Sequence, residues 1–172
     1  MTRNPVFSDA APAALGPYSQ AIVAGGFVFC SGTAGIDPAT GIARDGIEAQ
    51  TEQALQNLAA ILEAAGASMD NLVKTTIFYT DVDDFAKLNH VYAQHMPEPP
   101  PTRSAPANVQ LPHGLLISLD AIAMIPAEAV AMTTSARPRW RLAPLAARVL
   151  DIPFSLTACA YGARHAAQWA HG

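Results

Sequence analysis

Pro101-Thr102-Arg103-Ser104-Ala105-Pro106, and then Leu111-Pro112-His113-Gly114-Leu115-Leu116-Ile117-Ser118-Leu119-Asp120-Ala121-Ile122-Ala123, decide how this chain folds. Arg103 follows a proline run and opens a strand-like segment, and Pro112 with Gly114 marks a turn. Beyond the turn the residues alternate: Ile117, Leu119, Ala121 and Ala123 face one way, and Leu116, Ser118, Asp120 and Ile122 the other. Polar groups set into an otherwise apolar face point to a pocket wall or a subunit interface, because a buried polar group needs a partner. Arg103 nearby suits a small anion, since a guanidinium grips a carboxylate through two parallel hydrogen bonds.

The segments upstream supply the rest of the architecture. Residues 1–16 read as an irregular arm. Tyr18 to Ala24 and Phe27 to Ser31 read as strands joined by the hairpin signal Gly25-Gly26, the second strand stopping at Gly32. Asp37-Pro38-Ala39-Thr40-Gly41 is a turn. A long helix follows, with Asp45 and Glu48 at capping-box spacing and Gly66 as its stop. Its apolar stripe is Ile47, Ala54, Leu55, Leu58, Ile61, Leu62 and Ala65. Leu72 to Thr80 is a strand rich in β-branched and aromatic residues. Asp81 caps a second helix with Val82, Phe85, Leu88 and Tyr92 on its apolar face, ended by Pro97. The order ββαβαββ predicts an α+β fold, a mixed sheet with two helices on one face. The other sheet face carries Leu116, Ile122 and Met124, too apolar for solvent, so a homo-oligomer is expected.

Composition narrows the function classes. The chain has 172 residues, half of them hydrophobic and 14% charged, enough for one domain with its own core. No apolar run reaches membrane-spanning length, and Met1-Thr2-Arg3-Asn4-Pro5 opens without a secretory h-region. Cys30 and Cys159 lack any paired spacing and read as free thiols of a reducing, cytoplasmic compartment, without a metal site. Residues 1–125 hold five cations against twelve acids, a balance that disfavours a phosphate backbone. The chain divides into a domain at 1–126 and an Ala/Arg-rich appendage at 127–172, where Ser155 to Ala170 has the spacing of a helix.

Four segments stand in order along the chain: Ala11-Pro12-Ala13-Ala14-Leu15-Gly16-Pro17-Tyr18-Ser19-Gln20-Ala21; Ser31-Gly32-Thr33 with Asp37-Pro38-Ala39-Thr40-Gly41; Val73-Lys74-Thr75-Thr76 with Asp84-Phe85-Ala86 and Asn89; and Pro101-Thr102-Arg103-Ser104 with Leu111-Pro112 and Asp120-Ala121-Ile122-Ala123. Together they resemble the RidA family, also called YjgF or, in older naming, L-PSP endoribonuclease. The resemblance implies a chorismate mutase-like barrel trimer, with bare sheet faces inside and a pocket at each subunit interface. It also implies cofactor-free hydrolysis of reactive enamines and imines, such as 2-aminoacrylate, to 2-keto acids and ammonia. On that reading Arg103 holds the substrate carboxylate, Gly32 and Ala105 line the pocket with backbone, and Tyr18 and Asn89 border it.

One position departs from the family pattern. Where these deaminases usually carry a glutamate that binds the attacking water, this chain has Ser118, a poor base at neutral pH. Asp120, about 7 Å along the same strand face, takes over only if the pocket is shifted. The departure keeps a second function open, a non-catalytic module that binds a small carboxylate in a regulatory or scavenging role. A ribonuclease, the third reading, fits poorly with an acidic body. Plainer roles stand beside these: Arg103 paired with an acid of a neighbouring subunit, Tyr18 as interface packing, Ser118 as a structural hydroxyl, and Cys30 as a small core residue. His90, His95 and His113 read as isolated surface or interface residues.

Overall fold

The computed structural model describes residues 2–127. The appendage beyond Ala127, with the expected helix Ser155–Ala170 and Cys159, lies outside the described residues. Within them six strands form one mixed sheet, in the order β1-β2-β3-β6-β4-β5: β1 (Asn4–Val6), β2 (Ala21–Ala24), β3 (Phe27–Ala34), β4 (Leu72–Tyr79), β5 (Thr102–Ser104) and β6 (Ile117–Met124). Two helices, α1 (Ile47–Ala64) and α2 (Phe85–His95), complete the α+β architecture. Only the β4–β5 pair is parallel. Gly25 and Gly26 both take positive φ, 59° and 82°, so a two-residue turn joins β2 to β3 with the twist that a hairpin needs.

The alternation in β6 decides which face is which. Ile117, Leu119, Ala121 and Ala123 are buried together with Val28, Cys30 and Ile77 and with Leu55, Leu58 and Leu62 of α1 and Leu88 of α2. Ser118, Asp120, Ile122 and Met124 lie on the opposite face. There Ile22, Phe29 and Ile122 form a row across three strands, and Phe27 pairs with Met124 beside it. Phe29 and Met124 are 44% and 52% exposed, so this face is an apolar surface open on one side.

Several expectations change. The arm is not wholly irregular: Asn4–Val6 pairs with β2, and Pro5 is tolerated because β1 is the sheet edge. The strand expected from Tyr18 begins at Ala21, because Gln20 is turned onto the arm. The strand expected to stop at Gly32 runs on to Ala34, because β6 pairs with Thr33 and Ala34 past a bulge. Helix α1 starts after Gly46 with no side-chain cap, so Asp45 and Glu48 form no capping box. Asp81 caps a single 3-10 turn ahead of α2, and Val82 and Phe85 stay exposed where a buried face was expected.

Candidate active site

The residues singled out in the sequence assemble into two groups. The first is built on β5 and α2. Arg103 projects from β5 towards α2, where its Nη1 donates to the side-chain Oδ1 of Asn89 at 2.8 Å. Its guanidinium lies over the Tyr92 ring, 4.8 Å from the centroid, and 5.7 Å from that of Phe85. The Tyr92 hydroxyl is 2.7 Å from that of Thr75, and both residues are buried. Burial raises the Tyr92 phenol above its ordinary value, opposed by the Thr75 bond and the Arg103 charge. The ring under Arg103 is therefore neutral at physiological pH. Aromatic faces and an amide orient the guanidinium without neutralising it. Among the described residues no carboxylate pairs with Arg103. Ala105 follows β5, half-buried against the core.

The second group surrounds a cavity of about 300 Å³ at the end of the sheet. Tyr18, Gly32 and Ser118 line it, with the arm residues Pro12 to Leu15 and the turn residues Pro112 and His113. A Cβ on Gly32 would sit 2.8 Å from Ser118 Oγ, so the missing side chain is what opens the space beside the hydroxyl. Tyr18 Oη accepts from the Leu15 N–H at 3.0 Å. Buried Gln20 folds the arm into the cavity wall. It accepts from Ser8 N–H at 2.7 Å and donates to the carbonyls of Ala11 and Pro12. The adjoining space, about 400 Å³, shares Leu15, Ile36, His113 and Leu115 as lining.

Asp120 joins neither group: it lies opposite Thr76 on the bare face, outside the cavity lining. The two groups are also remote from each other. Thr75 pairs with both Arg103 and Ala121, so Arg103 sits two strands from β6 and three residues along from Ser118. That is about 10 Å across the sheet and about 10 Å along it. Among the described residues no cluster of three or more His, Cys, Asp or Glu is placed to hold a metal ion.

Two contributors were not legible as such. Gln20 was visible only as one member of a motif, although a lone amide beside apolar strand residues is a signal for a buried hydrogen-bonding anchor. His113 is isolated along the sequence, but the turn carries it to the cavity.

The family model for endoribonuclease L-PSP matches residues 8–125, over the segments that build both groups. The chain belongs to the L-PSP endoribonuclease, or RidA, family. Among relatives, the chloroplastic Reactive Intermediate Deaminase A of Arabidopsis thaliana is 46% identical over 121 residues, 70% of this chain and 65% of the relative. The 2-iminobutanoate/2-iminopropanoate deaminase of Bos taurus is 38% identical over 125 residues, 72% of this chain and 91% of that protein. The crystal structure of RidA from the Antarctic bacterium Psychrobacter sp. is 43% identical with a TM-score of 0.69, covering 71% of this chain and 99% of that one. Escherichia coli TdcF with bound serine is 37% identical with a TM-score of 0.67, covering 70% and 98%. Imine deamination is thus the activity that relatives in this RidA family are named for.

Proposed function

We propose that the protein hydrolyses small 2-imino and enamine acids of the 2-aminoacrylate type to 2-keto acids and ammonia, at a site shared by two protomers of a homotrimer. The observation that carries this reading is the state of Arg103. It is oriented by Asn89 and two aromatic rings, yet no acid neutralises it among the described residues. Such a guanidinium is prepared for a substrate carboxylate. The cavity holding Tyr18, Gly32 and Ser118 is too far from Arg103 for both to grip one small molecule within a single chain. Stacking the bare apolar faces of neighbouring copies offers a way to bring the two groups together. The proposed site draws on residues 1–126 alone.

The chemistry asks little of the protein. An iminium carbon is already electrophilic, so fixing the carboxylate, excluding competing reactions and aiming one water supply the catalysis. A second reading rests on Ser118, whose hydroxyl can orient water but does not take its proton at neutral pH. On that reading the module binds a small carboxylate without turnover.

Keto-acid formation from 2-aminoacrylate generated in situ separates the two. The deaminase reading expects acceleration over the spontaneous rate, reduced about 30- to 100-fold in Arg103→Ala through loss of a charge-assisted bidentate contact. An intact oligomer by light scattering with no acceleration would leave carboxylate binding as the function.

A further inference from the structure

We infer that the His113 imidazole is the general base that takes the proton from the attacking water. The inference deepens the deaminase reading and rests on it. Five polar side chains line the cavity: Tyr18, Gln20, Thr33, His113 and Ser118. The Gln20 amide is committed to the arm, the Thr33 hydroxyl donates to the Ser31 carbonyl at 3.1 Å, and Tyr18 Oη accepts from Leu15. Ser118 is left beside the space that Gly32 opens, with a hydroxyl too weakly basic for the step. Imidazole is the one lining group of a type that exchanges protons near neutral pH.

The turn places it deliberately. His113 has φ 58°, a left-handed conformation that few side chains adopt, next to Gly114 at φ 70°. The Leu115 N–H closes the turn on the Pro112 carbonyl at 3.2 Å, and the Leu116 N–H is held by Gln50 Oε1 at 2.8 Å. His113 therefore stands on anchored backbone where the two cavities adjoin. His90 meets Gln94 and His95 meets Glu52, whereas the His113 ring makes no side-chain hydrogen bond among the described residues.

In the step, the water oxygen bonds to the iminium carbon, the C=N pair moves to nitrogen, and one water proton passes to the imidazole. The imidazolium then protonates the amine of the carbinolamine. The C–N bond breaks as the carbonyl forms, and the hydroxyl proton leaves with the nitrogen as ammonium.

The test uses the full chain and 2-aminoacrylate generated in situ. His113→Asn is chosen because asparagine tolerates the left-handed backbone. It is expected to lower the protein-dependent rate about 100-fold or more, and adding Ser118→Glu to that variant is expected to restore most of the loss. His113→Gly, recovering activity with added imidazole, is the second arm. A His113→Asn variant that keeps the native rate while Arg103→Ala loses it would overturn the assignment and leave the deaminase reading standing. A native chain without acceleration would overturn both.

Discussion

Cys30 and Arg103 show how environment sorts reactive groups at the scale of single residues. Cys30 is buried in β3, and its thiol is pushed up to about 12, first by burial and then by the negative charge of Asp120. It is a small core residue, as its apolar strand suggested. The raised value has a consequence for stability. Above the ordinary thiol range the unfolded chain loses the Cys30 proton while the native chain keeps it, so the unfolded state is favoured as pH rises. The contribution is intact below pH 9 and falls away up to about pH 12, by as much as roughly 4 kcal/mol. Denaturant titrations at pH 8 and pH 10.5 are expected to show a smaller alkaline loss for Cys30→Ala than for the native chain. Equal losses would mean that the thiol is not held neutral by its surroundings.

At the scale of elements, α1 is tied to the sheet by amides as well as by its apolar stripe. Gln53 donates to Asn57, which donates to the carbonyls of Ala34 and Ile36, and Gln50 reaches Arg44 and Leu116. These contacts depend on close approach where β3 ends. A Cβ on Gly35 would lie 2.4 Å from the Gln50 carbonyl oxygen and 2.5 Å from its Cα, both backbone atoms that cannot swing aside. Gly35→Ala is therefore expected to destabilise the fold by about 1–3 kcal/mol, read as a lower denaturant midpoint at fixed protein concentration. An unchanged midpoint would mean that α1 can shift off the strand at little expense. The apolar stripe of α1 was plain from its spacing. Its amide contacts were not, because Gln50, Gln53 and Asn57 lie near the same helical face without revealing which backbone groups they would meet.

At the scale of the whole molecule, the proposed site is divided between copies, and that division is testable without knowing the physiological substrate. Arg103→Ala removes one half, and Gly32→Val blocks the other by filling the space beside Ser118. Each variant alone is expected to lose nearly all of the activity. Mixed equally through unfolding and refolding, a head-to-tail trimer regains about a quarter of native activity, because a random interface joins an intact arginine to an intact cavity that often. No recovery in mixed oligomers would place both groups' function within one chain. Phe29 and Ile122, adjacent on the open face, supply the apolar surface such an assembly would bury.

The α+β class, the buried face of β6, the Gly25-Gly26 hairpin and the family were all written locally, in a two-residue period, a turn dipeptide and short ordered motifs. Local signals failed where a distant partner makes the decision. Pairing with β2 makes Asn4–Val6 a strand, pairing with β6 carries β3 past Gly32, and Gln20 leaves the strand to hold the arm. The sequence by itself picked out Arg103, Asn89, Tyr18, Gly32 and Ser118. Only the tertiary structure separated them into two groups and set His113 on the lining of the cavity that holds Ser118, because strand order and the direction of a turn follow from long-range pairing that no local period encodes.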